Sequence, residues 1–183
     1  IKSGLPENVT LVAVSKTKPI SDLMEAYNAG QRIFGENKIQ EMVEKHELLP
    51  KDIQWHMIGH VQRNKVKYMA GFVNLIHGVD NFKLLKEINK EAEKHNRVID
   101  CLFQLKIAEE DSKFGMTQED ITSIINSEAF LELQNINIVG LMGMATFTDN
   151  QAQIKKEFSY LKSTFDTLKK QQTKNFNLKI ISM

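Results

Sequence analysis

Lys16 has the residue type and the position in this sequence that best suit covalent chemistry. It follows the apolar, β-branched run of residues 10–14 and precedes Pro19, after which a helical pattern begins. A continuous apolar run predicts a strand buried on both faces of a parallel sheet, and ligands bind at the carboxyl ends of such strands. A lysine that is poorly solvated there, with Lys18 as a second cation, is partly a free amine that can form a Schiff base with a carbonyl compound. The alternative is a lysine that ends a strand in solvent.

Other polar side chains also fall where predicted strands end. Because the carboxyl ends of barrel strands gather on one rim, we expect these residues to surround one pocket as binding or catalytic groups. In chain order they are Glu36, Asn37, His56, His77, Asp80, Asp111, Ser112, Lys113, Thr146 and Ser182.

Several of these residues have a plain structural interpretation as well. Asn37 and Asp80 could be helix N-caps, and His56 could be a hydrogen-bonded core histidine. Met142 is a candidate for packing as much as for a binding site. The histidine spacing gives little support for a zinc site. The four histidines considered are His46, His56, His60 and His77.

Hydrophobic patterning predicts seven strands that alternate with six helices. The strands are residues 10–14, 32–35, 53–58, 72–77, 98–107, 136–144 and 178–181, and the helices are residues 19–29, 38–48, 61–69, 82–94, 118–127 and 151–170. Ser21 and Asp149 are candidate helix caps. Strict alternation predicts an α/β fold with a parallel sheet and right-handed crossovers.

Two architectures fit this alternation: an open doubly wound sheet and a closed (β/α)8 TIM-type barrel. The first strand is not followed by G-x-G-x-x-G, the strongest dinucleotide signature, so the open sheet has less support. The barrel is favoured because the first and seventh strands would otherwise be apolar edges. We therefore expect a single barrel domain over residues 1–183 that is incomplete at both ends, with an eighth strand beyond Met183.

Composition limits the classes of partner. The chain has 183 residues and a formal net charge of +1, which predicts no general attraction to nucleic acid or to anionic membranes. There is no apolar run of about 18 residues that would predict a membrane span. The one cysteine, Cys101, lies in an apolar run and is expected to be a buried thiol, which fits a cytoplasmic setting.

Short motifs in one order resemble those of the pyridoxal-phosphate homeostasis proteins, which are small barrels similar to the amino-terminal domain of alanine racemase. The resemblance covers nearly the whole chain. The motifs are Val-Ala-Val-Ser-Lys-Thr-Lys-Pro at 12–19, Phe-Gly-Glu-Asn at 34–37, Trp-His-Met-Ile-Gly at 55–59, Gln-x-Asn-Lys at 62–65, Asp-Ser-Lys-x-Gly at 111–115, Gly-Leu-Met-x-Met-Ala at 140–145 and Ser-Met at 182–183.

The resemblance implies a fold-type III barrel that holds pyridoxal 5′-phosphate (PLP) as a Schiff base on Lys16. It implies a role in PLP (vitamin B6) homeostasis, without established turnover, in a cytoplasmic monomer that could pass PLP to acceptor enzymes. The residues assigned to cofactor binding are Lys16, Asn37, His56, Met142 and Ser182. The family's phosphate-binding Gly-Met-Ser segment would follow Met183, so no phosphate ligand is assigned here.

Two other activities remain open. A PLP-dependent amino-acid racemase or decarboxylase needs a second acid–base group opposite the cofactor lysine. Tyr27, Tyr68 and Tyr160 all fall in helical patterns away from the strand ends, which argues against efficient racemisation. A Schiff-base aldolase without cofactor would share the barrel and the lysine, and a visible absorption band from PLP would distinguish it.

Overall fold

A computed structural model describes residues 8–109 and 114–183. Its sheet has seven parallel strands in chain order, each paired with the next. This arrangement confirms the predicted α/β fold. The strands are β1 (Ala13–Val14), β2 (Ile33–Glu36), β3 (Gln54–Met57), β4 (Leu75–Val79), β5 (Ile99–Gln104), β6 (Ile136–Met142) and β7 (Phe176–Ser182).

Helices connect successive strands, as parallel pairing requires. A 3-10 helix at Arg63–Tyr68 connects β3 and β4, and the other connections carry α-helices. No helix in residues 8–109 or 114–183 is long and apolar enough to cross a membrane. The α-helices are α1 (Ile20–Asn28), α2 (Ile39–Leu48), α3 (Phe82–Lys94), α4 (Gln118–Ile125), α5 (Glu128–Leu131) and α6 (Gln151–Leu168).

One hydrogen bond shows that the sheet is strongly curved. Nδ1 of His77 on β4 lies 2.9 Å from Oγ of Ser182 on β7. In a flat sheet these strands would be about 14 Å apart, because neighbouring strands are spaced at about 4.8 Å. The two short side chains can meet only if the sheet curls, which is the curvature of a barrel wall.

The two faces of the sheet are packed differently. The face under the helices carries the main core, in which Phe34 and Trp55 are buried against each other and which includes Met42 of α2. The inner face carries a small separate cluster of Leu75 and Met142 with their neighbours. Polar side chains share this inner face near the carboxyl ends of the strands, so the fold places them together.

The first strand is shorter and less buried than predicted. Only Ala13 and Val14 pair as β1, and Val14 is 54% exposed. The prediction of burial on both faces was therefore wrong. In the described residues β1 is an edge strand that hydrogen-bonds a neighbouring strand, β2, on one side only.

Other corrections concern helices and caps. Residues 61–69 were predicted as an α-helix, but their helical part is 3-10, and the fourth strand begins three residues later than predicted. Asn81, not Asp80, caps α3 by accepting a hydrogen bond from the Leu84 amide. The N-cap of α1 is Pro19 rather than Ser21, and Asn150 rather than Asp149 caps α6. The two shifts from an aspartate to the asparagine that follows it arise because Asp and Asn side chains cap about equally well.

Candidate functional site

Lys16 lies in a tight turn at the carboxyl end of β1. The carbonyl of Ser15 accepts a hydrogen bond from the Lys18 amide at 3.1 Å, which closes the turn over residues 15–18. Thr17, the third residue of this Lys16 turn, has φ of +62°. A positive φ at this place is typical of a type II turn, where glycine or asparagine is usual. A β-branched residue in this conformation carries strain of about 1–3 kcal/mol.

An ionic cluster lies directly behind the Lys16 turn. We use this name for Ser15, Glu36, Glu41 and Lys45. The Lys45 ammonium donates to the Ser15 carbonyl at 2.6 Å, to Oε1 of Glu36 at 2.7 Å and to Oε1 of Glu41 at 2.7 Å. Its three N–H groups are thereby all used. Lys45 and Glu36 are buried, so their charges are stabilised by pairing rather than by water.

The ionic cluster also contacts the turn on the other side of Lys16. The Thr17 amide donates to Oε1 of Glu41 at 2.6 Å. The Ser15 hydroxyl donates to Oε1 of Glu36 at 2.7 Å. The hydrogen bond with Lys45 lowers the pKa of Glu41 below its ordinary value. The backbone on both sides of Lys16 is therefore tied to one set of charged groups.

A second polar cluster crosses the inner face of the sheet. Nδ1 of His56 lies 3.0 Å from Nε2 of His77, and Nδ1 of His77 lies 2.9 Å from Oγ of Ser182. We call these three residues the histidine line. It joins β3, β4 and β7. The sequence predicted that these residues gather at one rim, and the structure brings them together.

Both histidines of the histidine line are neutral at pH 7. Burial lowers the pKa of His56 from 6.5 to about 4. Burial, and then the proximity of His56, lowers the pKa of His77 from 6.5 to about 3. In the described residues no partner contacts Nε2 of His56, so the line has an open end there. Each neutral imidazole has one donor and one acceptor nitrogen. If Nε2 of His56 carries the proton, His56 accepts from His77, His77 accepts from Ser182, and the Ser182 oxygen can still accept. In the opposite tautomers Nε2 of His56 is an acceptor and the Ser182 hydroxyl is free to donate.

Asn37 and Met142 occupy different surroundings at this rim. Asn37 is partly buried, and Lys38 rather than Asn37 holds the N-cap position of α2, so the capping interpretation was wrong. A Cβ on Gly59 would lie 2.5 Å from the Asn37 carbonyl, so only glycine permits the loop after β3 to pack this close. Met142 is buried against Leu75 and its neighbours on the inner face. It forms part of the apolar wall beside the histidine line.

The remaining rim residues do not join these two clusters. Nδ1 of His60 lies 3.3 Å from Oδ2 of Asp80, and His46 stacks on Phe72 with ring centroids 3.8 Å apart. The four histidines considered for zinc therefore do not converge. The candidates at positions 111, 112 and 113 lie outside the described residues.

The loop after β6 is held by a buried carboxylate that the sequence did not single out. Glu157 of α6 accepts hydrogen bonds from the Thr146 amide and hydroxyl, each at 2.7 Å. Burial by itself raises the pKa of Glu157, but these hydrogen bonds outweigh it, and the net shift is downward. Thr146 is therefore engaged in holding its own loop.

The described residues fit PLP at its aldehyde and ring, and they leave its phosphate unassigned. Lys16 is exposed, so the prediction of a poorly solvated lysine was wrong. No carboxylate within the described ranges pairs with its amine, which leaves the amine accessible to an aldehyde. The inner face of the sheet offers an apolar wall that includes Met142, and neutral hydrogen-bonding groups at His56 and Ser182. An aromatic ring with polar substituents matches such a surface.

Sequence reasoning missed the ionic cluster as a unit. Glu36 was recognised only as a strand-end residue, and Lys45 was not singled out. A signal was present in α2, where Lys45 continues the apolar stripe of Ile39 and Met42. A charged residue on the buried stripe of a helix predicts a buried ion pair, because an unpaired charge would be too costly there.

Comparison with known proteins gives consistent relatives in sequence and in structure. A model of the alanine racemase N-terminal domain matches residues 1–183. A pyridoxal phosphate homeostasis protein of Aquifex aeolicus is 37% identical over 172 residues, which cover 93% of this chain and 75% of that protein. The protein of the same name from Pasteurella multocida is 34% identical over 168 residues, which cover 90% of this chain and 71% of the relative.

Solved structures show the same fold. PipY of Synechococcus elongatus, whose structure was solved with PLP bound, superposes with a TM-score of 0.87 at 31% identity, over 98% of this chain and 83% of PipY. Alanine racemase of Clostridium difficile superposes with a TM-score of 0.78 at 14% identity, over 97% of this chain and 49% of the racemase. The second likeness is one of fold alone.

Proposed function

Because this chain belongs to the pyridoxal phosphate homeostasis proteins of the alanine racemase N-terminal domain family, we propose that it binds PLP as a Schiff base on Lys16 and takes part in PLP homeostasis. The free amine of Lys16 adds to the aldehyde carbon of PLP, water leaves, and a C=N bond joins cofactor to protein. PLP bound in this way supplies a reactive aldehyde in protected form.

The observation that carries this proposal is the presentation of Lys16. Its turn is closed by a backbone hydrogen bond and tied to the ionic cluster, so the side chain is displayed from an ordered backbone at a strand end. Lys18 lies two residues later, where its amine is 4.0 Å from the Asp22 carboxylate. Of the two lysines, Lys16 is the one without an ion pair to a described residue.

We assign supporting roles to four residues. His56 and Ser182 hydrogen-bond polar groups of the bound cofactor, Met142 contacts its ring, and Asn37 contributes an amide from the rim. The support for these roles is their shared position at the carboxyl ends of β2, β3, β6 and β7. None of these four side chains carries a net charge at pH 7, so other groups must balance the negative charge of the cofactor phosphate.

The wider role in the proposal is storage and release of PLP to acceptor enzymes by a cytoplasmic, monomeric protein whose single domain spans residues 1–183. The positions of the tyrosines support binding rather than racemisation. Tyr27 on α1 hydrogen-bonds Asp52, and Tyr68 and Tyr160 lie on outer helices. None of them is placed as an acid–base group opposite Lys16.

Borohydride trapping tests the proposal. The purified protein is mixed with PLP, its visible absorption is recorded, and the Schiff base is reduced and mapped by peptide mass. We expect the pyridoxyl group on Lys16, no visible band at this site in Lys16→Met, and an unchanged band in the matched control Lys18→Met. Pyridoxyl on another lysine with Lys16 unmodified would refute the assignment.

A further inference from the structure

We propose that Glu41 and Lys45 are positioning residues that set the reactivity and selectivity of Lys16 by holding its turn. The inference rests on the proposed function, because it concerns how the reacting amine is presented. Neither residue touches the amine of Lys16. Both act through the backbone atoms on either side of it.

The geometry places one contact immediately before Lys16 and one immediately after it. Lys45 donates to the Ser15 carbonyl, and Glu41 accepts from the Thr17 amide. These two peptide groups flank the α-carbon of Lys16 and fix the direction of its Cα–Cβ bond. A direct contact between Lys45 and Glu41 couples the two supports, so the turn is clamped from one side by a single ion pair.

The backbone conformation of Thr17 explains why the turn needs the contacts with Glu41 and Lys45. Thr17 has φ of +62°, a conformation that glycine adopts at little cost and a β-branched residue does not. When the hydrogen bond from its amide is removed, Thr17 relaxes toward negative φ and the turn opens. Lys16 then leaves its place at the end of β1. The strained residue and the residue proposed to react are adjacent, so the support is directed at the nucleophile.

The helix supplies these supports from its first and second turns. Glu41 and Lys45 are spaced i, i+4 on α2, which packs against β2, so both side chains reach the turn from a rigid element. The side chain of Glu44 on the same helix is exposed and forms no hydrogen bond or ion pair within the described residues. It is therefore a matched control for removing one carboxylate from α2.

The test compares Glu41→Ala with Glu44→Ala in the full chain. The rate of Schiff-base formation with PLP is followed by visible absorption, and the ratio of pyridoxyl on Lys16 to that on Lys18 is measured after borohydride reduction. We expect Glu41→Ala to slow the reaction at Lys16 about tenfold, the size of effect expected when a charge-assisted hydrogen bond is lost. The Lys16 to Lys18 ratio should fall with it, while Glu44→Ala stays within about twofold of the wild type in both.

A rescue variant separates positioning from general stability. Thr17→Gly permits the turn without strain. In the Glu41→Ala background it should restore most of the rate and of the Lys16 to Lys18 ratio, although it restores no contact to α2. A purely structural role of Glu41 predicts no such recovery, and failure of the rescue would overturn the clamp.

The outcomes are distinguishable from those of the proposed function. A wild-type protein that forms no Schiff base on Lys16 refutes the function. A wild type that reacts at Lys16, with Glu41→Ala equal to it in rate and ratio, refutes the inference alone. If Glu41→Ala shows no cooperative thermal transition, Glu41→Gln replaces it. Glutamine keeps the shape of the side chain but loses the ionic contact with Lys45. We expect Schiff-base formation at Lys16 to be about threefold slower in Glu41→Gln. An unchanged rate would overturn the inference.

Discussion

The ionic cluster and the histidine line are two buried polar groups at the same end of the sheet, and they are stabilised in opposite ways. In the ionic cluster, the buried Lys45 is paired with both Glu36 and Glu41. In the histidine line, His56 and His77 lose their charge because burial holds their pKa values at about 4 and about 3. A buried lysine is paired, whereas a buried histidine is neutralised.

The difference suits the place of each cluster in the fold. The ionic cluster lies between α2 and the first two strands, where strong and fixed contacts define one backbone conformation of the Lys16 turn. The histidine line lies on the inner face and has an open end at His56, where neutral imidazoles can exchange donor and acceptor roles. One cluster is suited to holding backbone and the other to meeting a ligand.

The largest effect that tests this comparison is expected from Lys45→Met. The substitution leaves Glu36 buried without its cation and Glu41 without its partner. Breaking a buried pair by removing one member costs about 3–5 kcal/mol in the free energy of unfolding. Urea unfolding of Lys45→Met and of the control Lys155→Met measures the difference, and Lys155 is an exposed lysine of α6.

A loss below about 1 kcal/mol in Lys45→Met, comparable to that of an exposed pair, would contradict this view of the ionic cluster. It would mean that the buried ion pairs of Lys45 contribute no more to stability than exposed pairs do, and the contrast between the two clusters would fail.

The ionic cluster also shows where sequence reasoning reaches its limit. The position of Glu36 at the end of a predicted strand was enough to single it out as a candidate site residue. The apolar stripe of α2 that includes Lys45 contained enough information to predict a buried ion pair. The strained Thr17 could not be predicted, because threonine disfavours positive φ and a tertiary contact with Glu41 helps to hold it there. Local propensity is overridden at the very residue that follows the candidate nucleophile.

The next largest effect is the pH dependence contributed by the histidine line. The folded histidines have pKa values below the unfolded value of 6.5, so the unfolded chain binds more protons as the pH falls. Stability is therefore full above pH 6.5 and is lost as the pH falls toward 4, by about 1.4 kcal/mol per pH unit for each histidine.

Unfolding measured between pH 6.5 and pH 4.5 in His77→Gln checks this sign and size. The slope of the free energy of unfolding should decrease by about 1.4 kcal/mol per pH unit relative to the wild type. His95→Gln, which replaces an exposed histidine, serves as the control for the loss of a histidine from the surface. A slope in His77→Gln equal to that of the wild type would show that the His77 side chain is protonated in the fold.

Strand-end reasoning succeeded for the histidine line because a barrel gathers all carboxyl ends at one rim. It placed His56, His77 and Ser182 together without any knowledge of contacts. It did not give the hydrogen bond between β4 and β7, because that contact depends on the curvature of the sheet. It also ended the fourth strand at His77, whereas β4 continues to Val79, because Gly78 interrupts the apolar pattern.

The smallest effect compares one substitution in both clusters: Ser15→Ala and Ser182→Ala. The Ser15 hydroxyl is buried and donates to the Glu36 carboxylate, so its loss should cost about 1.5–3 kcal/mol. The Ser182 hydroxyl is partly exposed and hydrogen-bonds a neutral ring, so its loss should cost only about 0.5–1.5 kcal/mol. Water can reach His77 at the place that Ser182 leaves, whereas Glu36 has no such replacement. Thermal and urea unfolding at pH 7 measure both variants under the same conditions. Equal costs would show that a charged acceptor adds nothing to a buried hydrogen bond in this fold. A larger cost for Ser182→Ala would show that the stronger contacts are in the histidine line and not in the ionic cluster.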